Sequence, residues 1–106
     1  MIFRIALKNF LRQGMRSFLN VLVTAHLKQS YDAWKKIFDS DSARAEFCDE
    51  SRTMVGKVDD STALIALFGV DPEKMRKRLT SPEFIDLVKD YVVKHDAYSF
   101  EEMSIG

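Results

Sequence analysis

His26 and its polar neighbours are the residues of this chain best suited to chemistry. His26 alternates with Asn20 and Thr24 along a run of apolar residues, so the three side chains would share one face of a strand. An imidazole that titrates near neutral pH, beside an amide and a hydroxyl, could orient a small ligand or shuttle a proton. A histidine at a strand end close to solvent would show the same pattern. Tyr98 could direct its hydroxyl toward the same place or pack between subunits, and these alternatives stay open.

The other reactive residues of the chain do not form a pattern that indicates a catalytic site. Cys48 is the only cysteine, so it cannot form an internal disulfide bond, and the neighbouring Asp49 and Glu50 would raise the pKa of its thiol. Two histidines and no clustered cysteines argue against a metal site. The four glycines are scattered, so we expect no phosphate-binding loop and no cofactor. His95 follows a predicted helix, where an imidazolium would complement the helix dipole.

The composition is that of one globular domain. Apolar residues make up 46% of 106 residues and charged residues 30%, with 16 basic and 16 acidic side chains. This excludes a disordered tail and a disulfide-stabilised scaffold. A basic run extends from Lys74 to Arg78, but no aromatic residues interleave with it. We therefore expect a solvated face there, and no nucleic-acid partner.

Residues 1–17 form a predicted basic, amphipathic N-terminal extension. Arg4, Lys8, Arg12 and Arg16 recur every four residues, which places them on one face of a helix. Such a helix could pack on its own domain or on a partner subunit, lie on a membrane surface, or act as a targeting segment. The apolar run 18–27 is far shorter than the ~20 residues needed to cross a bilayer. We therefore expect a cytoplasmic protein that could contact a membrane surface through residues 1–17.

The sequence pattern over residues 18–104 predicts a single α+β domain. Its elements alternate as strand, helix, strand, strand, helix, strand, over residues 18–28, 31–49, 52–58, 62–70, 82–94 and 97–103, with a short extra helix over 72–80. Ser30, Asp71 and Ser81 are predicted helix N-caps, and Pro72 and Pro82 occupy first helical positions. This order is the βαββαβ pattern of a ferredoxin-like fold, in which both helices cover one face of a four-stranded antiparallel sheet.

The second face of that sheet would be left without helices. Two sets of alternating strand residues could line it. One set is Leu22, Leu64, Ala66, Phe68, Tyr98 and Phe100, and the other is the set on the opposite face of the same strands. Such a face is too apolar to leave in water, and a two-fold dimer that packs two sheets together would cover it. We therefore predict a homodimer.

Residues 21–103 resemble the dimeric α+β barrel superfamily, which includes antibiotic-biosynthesis-monooxygenase-like domains and families of short uncharacterised proteins. The resemblance lies in the helix 31–40 that contains Trp34, in the hairpin leading to 66–71, and in the helix start 81–84. It implies a barrel cavity between two sheets, lined here by His26, Asn20, Thr24 and Tyr98. Some members oxygenate or isomerise aromatic compounds without a metal, and others bind haem.

Two classes of function remain open at this point. The first is a dimeric barrel protein that binds a small apolar ligand in its cavity, with or without catalysis, because no catalytic residue set of the superfamily maps onto this chain. The alternative is a non-catalytic adaptor or assembly protein whose basic N-terminal helix docks to a membrane surface or a partner. A cavity of roughly several hundred cubic ångströms that His26 faces would favour the first class.

Overall fold

The structure of the protein, a computed structural model, describes residues 3–4, 18–103 and 105. These residues form one sheet, three α-helices and two short 3-10 helices. The strands and α-helices, in chain order, are β1 (Phe3–Arg4), β2 (Leu19–Leu27), α1 (Tyr31–Ser40), β3 (Met54–Asp59), β4 (Thr62–Val70), α2 (Pro72–Leu79), α3 (Pro82–Val88) and β5 (Val92–Phe100). The 3-10 helices Ser42–Glu46 and Glu50–Arg52 connect α1 to β3. None of the helices in the described residues is long and apolar enough to cross a bilayer.

The sheet has the strand order β1-β5-β2-β4-β3. The last four strands of that order pair antiparallel throughout. A turn of two residues joins β3 to β4, with Asp59 paired to Thr62. The predicted α+β class and four-stranded antiparallel sheet are therefore confirmed, and the architecture is compatible with a ferredoxin-like fold.

The start of the chain differs from the sequence prediction. Phe3 and Arg4 were predicted to be helical, but their backbone is extended and pairs in parallel with β5, beside His95 and Asp96. The outer edge of β5 offers unpaired backbone groups, and pairing with them outweighs a local preference for helix. The rest of the predicted helix over residues 1–17 lies outside the described residues.

The hydrophobic core lies between one face of the sheet and the three α-helices. Alternate residues of β2 are buried from Val21 to Leu27, as its period of two predicts. Trp34 is 2% exposed and anchors α1 on the sheet, while Met75 of α2 and Phe84 of α3 are also buried. The alternation thus places one side of each central strand in the core and turns the other side away from the helices.

Each α-helix begins at a predicted cap. The Ser30 hydroxyl accepts from the Ala33 amide, the Asp71 carboxylate accepts from the amides of Glu73 and Lys74, and the Ser81 hydroxyl accepts from the Phe84 amide at 3.2 Å. Proline occupies the first position of α2 and α3. Proline lacks the N–H that would be unsatisfied there, so its presence costs no hydrogen bond.

Replacing Ser81 with alanine is expected to lower the free energy of unfolding by ~1 kcal/mol, because the Phe84 amide loses its acceptor. Urea denaturation of the two proteins would measure the difference. Ser99→Ala is a matched control, since Ser99 lies in β5 and caps no helix. An unchanged midpoint for Ser81→Ala would contradict the capping role.

Two predicted boundaries are wrong. The helix predicted over 31–49 ends at Ser40, because the Asp41 carboxylate accepts from the Ala43 amide and starts a 3-10 helix. The helix predicted over 82–94 ends at Val88, and the last strand begins at Val92 rather than at residue 97. β-branched residues favour strands, and pairing of Val92 with Leu27 extends β5 at the expense of the helix.

Candidate functional site

The sheet face that turns away from the helices carries all four predicted ligand-binding residues. We call this surface the open face. It consists of Asn20, Leu22, Thr24 and His26 of β2, Met54 of β3, Leu64, Ala66 and Phe68 of β4, and Lys94, Asp96, Tyr98 and Phe100 of β5. Most of these side chains are half-buried, and Met54 and Tyr98 are 63% and 51% exposed. The apolar set predicted for the uncovered face lies on this surface.

The register separates the four predicted residues along the open face. Thr24 and His26 are neighbours at one end, where Thr24 lies opposite Asp96 and His26 lies opposite Lys94. Tyr98 lies opposite Leu22 in the middle, and Asn20 lies opposite Phe100 at the other end. The structure therefore brings His26 and Thr24 to one polar site and places Asn20 apart from it.

An ion-pair cluster occupies the His26 end. The His26 Nε2 lies 3.2 Å from Asp96 Oδ2, and the Lys94 Nζ lies 3.7 Å from the same oxygen. The Asp96 side chain is only 10% exposed, whereas that of His26 is 37% exposed. A buried carboxylate that contacts an accessible imidazole fixes the orientation of its ring, which suits a group that binds a ligand.

Asp96 was not predicted to be a site residue, because the last strand was predicted to begin one residue after it. With β5 beginning at Val92, Lys94, Asp96 and Tyr98 alternate on the face that His26 occupies. A strand prediction that gave more weight to Val92 and Val93 would have placed this carboxylate beside β2.

Aromatic side chains occupy the other end of the open face. The rings of Phe68 and Phe100 meet edge to face with centroids 5.7 Å apart. The Arg52 guanidinium lies 4.4 Å from the Phe68 ring centroid, and its Nη2 donates to Glu102 at 2.7 Å. The open face is thus polar at one end, aliphatic in the middle and aromatic at the other end.

A separate cavity, the inner pocket, lies between the sheet and the helices. Its volume is about 60 Å³. Most of its lining is apolar, including Trp34, Phe38, Phe47, Leu67 and Phe84, and its polar lining residues are Asp41, Arg44, Arg78 and His95. None of the four residues predicted to bind a ligand lines it. No local sequence pattern indicates this pocket, because its polar residues come from three separate segments of the chain.

The charged residues of the inner pocket are arranged in pairs. The Arg78 Nη2 donates to Asp41 Oδ1 at 3.1 Å, and the Arg44 Nε donates to Glu50 at 3.0 Å. The Arg44 guanidinium also covers the Phe38 ring at 3.6 Å from the centroid. Each guanidinium therefore has one carboxylate partner, although Glu50 itself does not line the pocket.

His95 contributes a neutral imidazole to the inner pocket. Its residue surface is 5% exposed, and its ring centroid lies 5.9 Å from that of Phe84. The pKa of His95 is lowered to about 4, chiefly because the imidazole is buried and also because His26 lies nearby, while Asp96 opposes the shift. The interpretation of His95 as an imidazolium at a helix end is therefore wrong, because it lies inside β5 and is uncharged at pH 7.

Cys48 has the low reactivity that the sequence predicts, but for a different main reason. Its thiol donates to the Arg44 carbonyl at 3.4 Å, and the residue is buried. Burial raises the pKa of Cys48 most; a hydrogen bond with Thr53 lowers it, and Glu50 raises it again. A thiol that resists ionisation is a poor nucleophile.

The described part of the chain holds no cluster of three or more His, Cys, Asp or Glu side chains that could bind a metal ion. Comparison of the chain with protein-family models, with curated proteins and with solved structures found no match. The open face and the inner pocket are therefore the two candidate sites of the described residues.

Proposed function

We propose that the protein is a homodimer in which the open faces of two copies pack together, as in a dimeric α+β barrel, and that the dimer binds a small apolar ligand between the sheets. The observation that carries this proposal is the apolar middle of the open face. Leu22, Leu64, Ala66 and Tyr98 adjoin one another across three paired strands. A contiguous apolar patch of this kind on a sheet marks an interaction surface.

The size of the open face supports a second copy as its occupant. Four strands spaced ~4.8 Å apart and up to nine residues long, at ~3.3 Å per residue, give a face of roughly 20 by 30 Å. Two such faces would bury about 1,100–1,200 Å², which exceeds the roughly 1,000 Å² expected of a biological interface and lies at the lower end of the range of specific ones. A two-fold axis would also bury the same apolar residues on both copies at once.

The polar end of the open face would provide the specificity of the ligand site. In the dimer, the His26–Asp96 pair would be removed from bulk water, where its hydrogen bond strengthens. A ligand with an apolar body would contact Leu22 and Tyr98, and its polar group would reach His26 or Thr24. Asn20 would contact the ligand only if the chamber extends to the aromatic end.

Sedimentation equilibrium between about 1 and 100 µM tests the dimer. We expect a mass near twice the 12.2 kDa of one chain. A mass of one chain across this range would contradict sheet-to-sheet packing. Salt should change the result little, since the apolar middle of the open face and not its charged end would hold the copies together.

A neutral fluorescent probe, N-phenyl-1-naphthylamine, tests the chamber. Its emission should rise on binding to the wild-type dimer and saturate. The variant Phe68→Asp places a charge on the open face and should abolish both dimer and binding. Ser99→Ala, a change in β5 away from the apolar set, should leave both intact. Probe binding that persists in monomeric Phe68→Asp would show that the open faces do not form the site.

A further inference from the structure

The inner pocket is a built cavity that the proposed function does not use. It lies on the opposite side of the sheet from the open face, with Leu67 and Ile65 in its floor and Trp34 and Phe38 in its wall. Packed protein interiors contain few voids larger than a water molecule. A pocket of about 60 Å³ that four polar side chains line is larger than such voids and is partly open to solvent, so it is a candidate ligand site.

One polar atom of a residue that lines the inner pocket lacks a hydrogen-bond partner among the described residues. The Nε of Arg78 is buried and has no acceptor, although Nη2 of the same guanidinium donates to Asp41. An N–H buried without an acceptor is costly, and a ligand oxygen would remove that cost. The guanidinium also lies 5.5 Å from the Phe84 ring centroid, which holds it in place.

The charges of the inner pocket select against ions. Arg78 already pairs with Asp41, and Arg44 already pairs with Glu50. An anion would meet the Asp41 carboxylate, and a cation would meet two guanidinium groups. A neutral molecule with one acceptor oxygen satisfies the free N–H without leaving an unpaired charge.

The volume limits the size of such a molecule. One water needs ~10–15 Å³ on a comparable measure, so 60 Å³ holds about four to six non-hydrogen atoms. A benzene-sized guest occupies an engineered cavity of about 150 Å³, which exceeds this pocket. The apolar lining favours an aliphatic body.

We propose that the inner pocket binds a neutral, short-chain carbonyl compound, such as a ketone, aldehyde or ester of about four to six non-hydrogen atoms, whose oxygen accepts a hydrogen bond from Arg78 Nε. Phe47 and Arg78 line both the inner pocket and a surface groove that Lys77 and Ser81 also border. The pocket is partly open to solvent, and we expect the ligand to enter it from this groove. This binding is independent of the dimer.

NMR titration of the wild-type protein with 2-butanone at pH 7 tests the proposal, read at the indole N–H of Trp34, the only tryptophan of the chain. We expect a saturable shift with 2-butanone, binding of butyrate that is at least about tenfold weaker, and no shift with benzene. Absence of a saturable shift with 2-butanone, or equal binding of butyrate, would overturn the proposal.

The variant Arg78→Lys tests the role of Nε, because lysine keeps a positive charge beside Asp41 but has no Nε–H. We expect it to weaken 2-butanone binding about tenfold. Arg76→Lys is the matched control, since Arg76 is exposed on the same helix, and it should bind as the wild type does. Unchanged binding by folded Arg78→Lys would overturn the assignment of Arg78. If that variant does not fold, the comparison of 2-butanone, butyrate and benzene on the wild-type protein tests the proposal.

Discussion

An aspartate at position 67 is expected to unfold the protein, whereas an aspartate at position 68 is expected to leave it folded but monomeric. The two side chains are neighbours in β4 and point to opposite faces. Leu67 is 3% exposed in the core, so a carboxylate there would lose its hydration without gaining a partner, at a cost of several kcal/mol. Phe68 lies on the open face, where one copy alone can hydrate the charge.

Circular dichroism and sedimentation velocity on both variants measure these outcomes. Lys57→Asp is a control for an added carboxylate on the sheet, because Lys57 is exposed in β3. A folded dimer for Phe68→Asp would contradict packing through the open face. A folded Leu67→Asp would contradict the placement of the core.

Acidification between pH 6.5 and 4 is expected to remove about 3 kcal/mol of stability through His95 alone. The pKa of His95 is lowered to about 4 in the folded protein, whereas an unfolded chain titrates at its usual value of 6.5. Between these pH values the unfolded state binds more protons, so stability falls as the pH falls. The contribution is fully present above pH 6.5 and absent below pH 4.

Urea denaturation at pH 7.5, 6, 5 and 4 measures this dependence. The variant His95→Gln keeps a neutral polar side chain beside Phe84 but cannot titrate. Its free energy of unfolding should fall less steeply than that of the wild type over the same pH range, while other titrating groups affect both proteins alike. Equal slopes would contradict the neutral, buried state of His95.

Local patterns in the sequence predict much of this fold. The period of two in β2 indicates a strand with one buried face, and the apolar run of β4 indicates a central strand. β4 spans the residues that were predicted for it. The caps at Ser30, Asp71 and Ser81 are short-range hydrogen bonds that residue type alone indicates. Alternation also separates the apolar residues of the sheet into two opposite sets, but it does not by itself indicate which set faces the helices.

Long-range contacts account for what the sequence did not predict. Strand pairing with β2 decides where β5 begins, and that shift of five residues concealed the Asp96 partner of His26. The Arg78–Asp41 pair joins residues 37 positions apart, so no local pattern indicates it. The pairing of β1 with β5 likewise depends on an edge that forms only after the sheet is assembled.

Isotope-filtered NMR on a mixture of labelled and unlabelled chains tests the packing of the open faces most directly. We expect intermolecular contacts from the methyl groups of Leu22 and Leu64 in one copy to the rings of Tyr98 and Phe68 in the other. Ile85, exposed on α3 at 47%, should show none. The absence of intermolecular contacts from the open face, or contacts confined to the helical side, would contradict the proposed dimer.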